Sequence, residues 1–210
     1  MSATLVVFTR TPDPGRVKTR LIPALGAEQA ARLHAALAVE TVSRALASDL
    51  PVEVRLDGPP DHPFAAELRA LGARVLPQGE GDLGERLIRG LAPHARALAL
   101  GSDCVVFEPA WLREAAEDPA DLLVGPAEDG GYWTLGVRAP LPDLFRGIPW
   151  STAEVLPETL RRARALGLRV RLLPTCYDID APADLARLAA DPACPPALHS
   201  LLPRARHAAR

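Results

Sequence analysis

The chain has 210 residues, of which 24 are lysine or arginine and 26 are aspartate or glutamate, giving a formal net charge of −2. That balance, with no long run of one sign, excludes nucleic-acid wrapping or an anionic membrane surface as the main partner. The length fits one domain over residues 1–210, large enough to bury a core without disulfide or metal staples.

Cys104, Cys176 and Cys194 form no C-x-x-C pair, and their number is odd. This points to a reducing, cytoplasmic setting with no structural zinc. The first apolar run, Leu5–Phe8, is too short for a signal peptide or a membrane span. Lys18 is the only lysine; the other 23 basic residues are arginine. A compact ammonium is hard to replace by a planar guanidinium at a crowded phosphate, which singles out the loop that holds it.

In chain order, Thr4–Phe8 is short, apolar and β-branched, and reads as a buried strand. Ala27–Ser48 reads as a long helix with Leu33, Leu37 and Leu46 on its apolar stripe. Val52–Leu56 reads as a strand ending at D-G-P-P. Pro63 opens a helix to about Leu71. Arg74–Leu76 is a short strand, Asp82 caps a helix over Leu83–Leu91, and Ala97–Leu100 is an apolar strand ending at G-S-D. Pro109 opens a helix to Glu117. The strands Leu122–Val124 and Tyr132–Val137 follow. Thr152–Leu166 reads as a helix that Pro157 kinks or divides. Arg169–Leu173 is the last strand, and Asp180 is expected to cap a final helix, Pro182–Ala190. The Pro-, Ala- and Arg-rich tail is expected to fray from about residue 195. This alternation predicts an α/β fold of three layers, α/β/α, with a mostly parallel central sheet. Ligands then bind beyond the carboxyl ends of the strands.

Four loops lie at that edge. The first, T-R-T-P-D-P-G-R-V-K-T-R-L, places Arg10, Arg16, Lys18 and Arg20 around Gly15, whose backbone can take a positive φ near an anion. Backbone N–H groups and several cations suit a di- or triphosphate; a solvated basic loop is the plainer alternative. It is neither a Walker A loop nor a G-x-G-x-x-G turn. The second, L-G-S-D-C, carries Asp103 into the crevice, where Mg²⁺ is commonly held by one or two carboxylates plus phosphate oxygens. Its alternative role is a turn or helix cap. The third, G-P-A-E-D-G-G-Y, sets Asp129 and Tyr132 beside Gly130 and Gly131, with Trp133 in the core. The fourth, Y-D-I-D, puts Asp178 and Asp180 on one face; one completes a metal site and the other caps the next helix. The five histidines fall in helices, turns or the tail, and none belongs to a cysteine or serine motif.

Together these loops, with Q-G-E-G-D-L-G-E-R-L (Gln78–Leu87), I-P-W-S-T and D-I-D-A-P-A-D-L, resemble the radical-SAM/selenodomain-associated transferase family. That family lies within the nucleotide-diphospho-sugar transferases of glycosyltransferase-A, Rossmann-like fold. The chain is more distantly similar to phospholactate and molybdenum-cofactor guanylyltransferases. The resemblance runs from residue 8 to about 185, and Val105 departs from it, standing where proline usually follows S-D-C. It implies nucleotide phosphate near Arg10, Gly15, Arg16, Lys18, Arg20 and Gln78. It implies Mg²⁺ or Mn²⁺ at Asp103 with Asp178 or Asp180. The acceptor then lies near Gly130, Gly131, Tyr132, Trp150, Ser151 and Thr152, with Lys18, Asp103 and Asp129 catalytic.

The implied reaction moves a nucleotidyl group from a nucleoside triphosphate to a small, phosphorylated acceptor. One alternative is glycosyl transfer from a nucleotide sugar, with Asp129 as base. Another is a nucleotide sensor without turnover. A homodimer is compatible with any of these; nucleic acid and membrane are not expected partners. All of them require Lys18 and Asp103 to face each other across one cleft.

Overall fold

The computed structural model describes residues 3–138 and 141–202 of the chain. A seven-stranded sheet forms its middle layer, in the order β3-β2-β1-β4-β6-β5-β7. The strands are β1 (Thr4–Arg10), β2 (Val52–Asp57), β3 (Arg74–Pro77), β4 (Ala97–Gly101), β5 (Leu122–Pro126), β6 (Tyr132–Val137) and β7 (Val170–Leu172). All run parallel except β6, which is antiparallel to β4 and β5. Chain length dictates that reversal. A parallel return needs a crossover of about a dozen residues, and only residues 127–131 separate β5 from β6.

The helices are α1 (Ile22–Leu25), α2 (Ala27–Leu46), α3 (Pro63–Ala70), α4 (Leu83–Leu91), α5 (Pro109–Glu117), α6 (Pro142–Phe145), α7 (Val155–Ala165) and α8 (Pro182–Ala190). On one face of the sheet Leu5, Val7, Leu98 and Leu100 pack with Ala38 and Val42 of α2, Phe64 and Leu68 of α3, and Leu112 of α5. On the other, Val6, Ala99, Val124 and Leu135 pack with Leu87 and Leu91 of α4, Phe145 of α6 and Ala163 of α7. Successive strand residues therefore alternate between two covered faces, the arrangement that buries a parallel sheet. Each fully buried leucine in these layers contributes about 1.5–3 kcal/mol. A third cluster joins the first half of α2 (Leu33, Leu37) to α8 (Leu185, Leu188) and to Tyr177 and Ile179.

Helix starts follow their local chemistry. Asp82 and Glu85 form a reciprocal capping box on α4. Pro63, Pro109 and Pro182 each stand in a first turn.

Two expectations fail. The helix expected over Thr152–Leu166 begins at Val155, so Pro157 sits in its first turn; the Glu158 amide already bonds Glu154 O, and no kink or division results. The tail does not fray at residue 195. A short 3-10 turn, Pro196–Leu198, buries Leu198 and, beyond it, Leu202 against α2 and α8. The remainder of the expected tail lies outside the described residues. Among those described, no helix is long and apolar enough to cross a membrane.

Candidate active site

The loop after β1 is shaped before it meets any ligand. The Thr11 amide bonds Asp57 O at 3.0 Å, the Thr11 hydroxyl donates to Asp13 Oδ2 at 2.6 Å, and the Arg16 amide closes a turn on Asp13 O at 3.0 Å. Gly15, inside that turn, has φ 81°. Lys18 then adopts φ 46°, ψ 42°, a left-handed conformation that costs a side-chain-bearing residue about 1–2 kcal/mol. It precedes a 3-10 turn, Thr19–Leu21, and its side chain is only 3% exposed. The strained backbone turns the sole lysine inward while Arg16 and Arg20 remain exposed.

Lys18 Nζ lies 2.5 Å from Asp103 Oδ1 and 2.9 Å from Asp180 Oδ1. Asp103 follows β4, and its carbonyl accepts the Ile179 amide at 3.0 Å, so the β4 loop and the segment before α8 are tied together. Ile179 is buried, which leaves Asp178 and Asp180 on the opposite side. Asp180 is not the cap of α8. Asp184 reaches back to the amides of Asp180 (2.9 Å) and Ala181 (2.6 Å), and the carboxylate of Asp180 is thereby free for Lys18.

Burial opposes charge on both Lys18 and Asp103, yet their attraction outweighs it. Asp103, joined by Asp180, raises Lys18 above its ordinary value, and the ammonium holds Asp103 below the usual carboxylate range. Asp178 lacks such a partner. Burial, and then the carboxylates of Asp103, Asp129 and Asp180, push it up to about 7.

These groups line a cleft of about 720 Å³ at the carboxyl edge of the sheet. Arg10, Arg16, Lys18, Arg20, Asp103, Asp129, Gly131, Tyr132, Trp150, Ser151, Thr152, Asp178 and Asp180 all contribute to its wall. Lys18 and Asp103 do not face one another across it, as the sequence reading required, but touch. Three expected residues stand elsewhere. Gln78 is buried, its amide nitrogen donating to Thr9 O (2.8 Å) and Arg55 O (3.0 Å) while its oxygen accepts from Arg86, so it clasps strand ends and has nothing left for a phosphate. Gly15 faces open space. Gly130, at φ 91°, lies against the backbone of Ala153, where a β-carbon would come within 2.5 Å of a carbonyl oxygen; the close approach is to the chain itself.

At the other end of the cleft Tyr132 and Trp150 meet edge to face at 6.4 Å. Burial raises the Tyr132 hydroxyl above its ordinary range. Asp129 accepts the Gly131 amide at 2.9 Å, which fixes one carboxylate oxygen. Trp133 is core, stacked on Phe107 at 5.2 Å with its N–H on Pro174 O.

One polar wall residue belongs to none of the sequence motifs. His34, on α2, is 5% exposed, and its Nδ1 lies 4.0 Å from Asp103 Oδ1. The signal that could have found it is a histidine on the buried stripe of a helix, where leucine or alanine would serve packing better.

Residues 38–152 match the family described as uncharacterized protein conserved in bacteria, DUF2064. The chain belongs to this family. A curated relative, the phosphoenolpyruvate guanylyltransferase of Thermomonospora curvata, is 34% identical over 186 residues, covering 81% of this chain and 76% of the relative. A crystal structure from Desulfovibrio desulfuricans G20, of a candidate nucleotide-diphospho-sugar transferase, is 27% identical with a TM-score of 0.82, covering 96% of this chain and 94% of that one. The inositol-1-phosphate CTP transferase of T. maritima shares the fold alone, at 13% identity, TM-score 0.59 and coverage of 87% and 91%. This DUF2064 chain is therefore a transferase with the nucleotide-diphospho-sugar transferase architecture.

Proposed function

We propose that this DUF2064 protein moves a nucleotidyl group from a nucleoside triphosphate to a small phosphorylated acceptor, releasing pyrophosphate. One observation carries the reading: an ammonium and two carboxylates meet in the wall of a cleft that Arg10, Arg16 and Arg20 also line. A triphosphate is the small metabolite whose charge best matches that density of cations. The guanylyltransferase name of the relative adds support and makes GTP the first donor to test.

Two carboxylates support a divalent cation here, although among the described residues no group of three His, Cys, Asp or Glu side chains forms a metal-binding cluster. The carboxylate oxygens of Asp103 and Asp180 already converge on one positive nitrogen, so they are spaced to share a single cation. Mg²⁺ or Mn²⁺ held there would neutralise charge on the phosphoryl oxygens. Lys18 would then be released from the two carboxylates to bind the departing pyrophosphate, with Arg16 and Arg20 beside it. The alternation of partners explains why the loop keeps a lysine: a compact ammonium can exchange two carboxylates for phosphate without repacking. Asp178 and Asp129 border the acceptor end with Tyr132 and Trp150.

Glycosyl transfer is the second reading. It is favoured by Asp129, which lines the cleft beside Tyr132 where it could take a proton from an acceptor hydroxyl. The test is a panel of nucleoside triphosphates and nucleotide sugars with Mg²⁺ and phosphorylated acids, followed by thermal shift and pyrophosphate release. A triphosphate that stabilises the protein and yields pyrophosphate supports the proposal. Turnover with a nucleotide sugar alone would replace it by the second reading.

A further inference from the structure

We propose that His34 is a positioning residue of this site, fixing the end of β1 from which the loop of Lys18 departs. The proposal rests on the nucleotidyl-transfer reading for its kinetic consequences, though not for its geometry. His34 Nε2 lies 3.2 Å from the carbonyl of Arg10 and 3.4 Å from the hydroxyl of Thr9, the last residues of β1. Its other nitrogen faces Asp103 Oδ1 at 4.0 Å. The ring is therefore bonded to the end of β1 and lies beside the carboxylate that follows β4.

The carbonyl decides the tautomer. An oxygen at 3.2 Å can only accept, so Nε2 carries the proton and Nδ1 presents a lone pair. Nδ1 and Asp103 Oδ1 then both present lone pairs across 4.0 Å, so the ring makes no bond to the carboxylate and acts through the end of β1.

The end of β1 is held from two sides. Gln78 takes the carbonyl of Thr9 at 2.8 Å, and His34 takes the next carbonyl, that of Arg10. A strand end clasped at two successive carbonyls gives the following loop a fixed origin. Packing alone does not ask for histidine here, since Leu33, Leu37 and Ala38 fill the neighbouring buried positions of α2. A ring nitrogen buried at a helix stripe is tolerated where it donates to a strand-end carbonyl, as Nε2 does here.

Three variants and one measurement on the wild type test this. His34→Leu keeps the volume and removes both polar edges. It should lower kcat by roughly tenfold or more with a smaller change in KM for the triphosphate, the pattern of a displaced reacting group. His34→Gln can still donate to Arg10 O and should recover part of kcat, whereas His34→Asn, too short to reach that carbonyl, should not. If His34→Leu keeps kcat and KM within twofold, the ring is core filling and the proposal is wrong. Should the variants fail to fold, the ¹⁵N shifts of the wild-type ring decide. They should report the Nε2–H tautomer, with Nδ1 the nitrogen that responds to Mg²⁺ plus triphosphate. An Nδ1–H tautomer overturns the proposal. The tautomer is read without turnover, so a protein that transfers no nucleotidyl group would sink the functional reading and still leave the role of His34 open to proof or refutation by its ring shifts.

Discussion

Two of the ionic clusters among the described residues lie at opposite ends of the sheet, and they are built on opposite principles. At the carboxyl edge, Asp103 and Asp180 share Lys18 while Asp178 and Asp129 stand near without a cation of their own. Toward the amino ends of the strands, Glu53 on β2 is met by Arg55 at 2.6 Å, Arg74 at 3.6 Å and His94 at 3.8 Å. The first cluster has a surplus of acid and opens into a cleft; the second has one carboxylate among several nitrogen groups, with the Glu53 side chain 4% exposed. Surplus charge of one sign at an open site is unfinished and calls for a ligand, whereas a closed cluster is part of the scaffold. Burial of charge by itself does not separate the two.

The largest expected effect tests the open cluster. Asp103→Asn should lower turnover by roughly 10²–10³-fold, the loss seen when one group that stabilises developing charge is removed. It should also abolish stimulation by Mg²⁺, read from initial rates across a metal titration. Stability should change little, because Lys18 keeps Asp180. A variant that retains full metal-stimulated rates would remove Asp103 from the site and erase the contrast.

Glu53→Gln should do the reverse. It leaves the Arg55 guanidinium, 11% exposed, without its close carboxylate, and removing one member of a buried pair costs about 3 kcal/mol or more. For a chain this long that is a fall in Tm of roughly 10 °C, with kcat per folded molecule unchanged. If kcat collapses while Tm holds, the cluster is functional and the division between scaffold and site is misplaced.

Lys18→Arg sharpens the comparison from inside the open cluster. The charge survives, but a planar guanidinium must enter a space where the ammonium is 3% exposed and must still exchange carboxylates for phosphate. Triphosphate affinity should weaken by about tenfold, measured by titration calorimetry with Mg²⁺ present. Unchanged affinity would mean that charge alone matters and that the lone lysine carries no special meaning.

Much of this was legible in the sequence because the signals were local. Pro63, Asp82, Pro109 and Pro182 mark helix starts that the structure keeps to the residue. Lys18 and Asp103 follow β1 and β4, which lie side by side, while Asp180 reaches them from the edge strand β7 along the segment whose Ile179 amide bonds Asp103 O. The failures share a different cause: each depends on a partner far along the chain or on a competition between neighbours. His34 is set by Thr9 and Arg10, 25 and 24 residues away. Gln78 is spent on carbonyls 69 and 23 residues distant. Asp180 loses the capping role to Asp184 because the side chain inside the first turn reaches back to two amides at once. Spacing within a motif cannot show which of two aspartates wins such a contest.

The smallest predicted effect lies within the closed cluster. Arg74 also contacts Glu53, but at 3.6 Å and with a side chain 72% exposed, against 2.6 Å and 11% for Arg55. Water screens an exposed guanidinium, and holding its long side chain costs entropy, so pairs of this kind are worth about 0–1 kcal/mol. Arg74→Ala should therefore move Tm by no more than about 3 °C, far less than Glu53→Gln, although both substitutions break a contact with the same carboxylate. The comparison is one of desolvation. Arg55 and Glu53 have exchanged water for each other and depend on that exchange, while Arg74 has kept its water. A loss from Arg74→Ala as large as that from Glu53→Gln would show that Glu53 needs both arginines. The closed cluster would then be as short of positive charge as the open one.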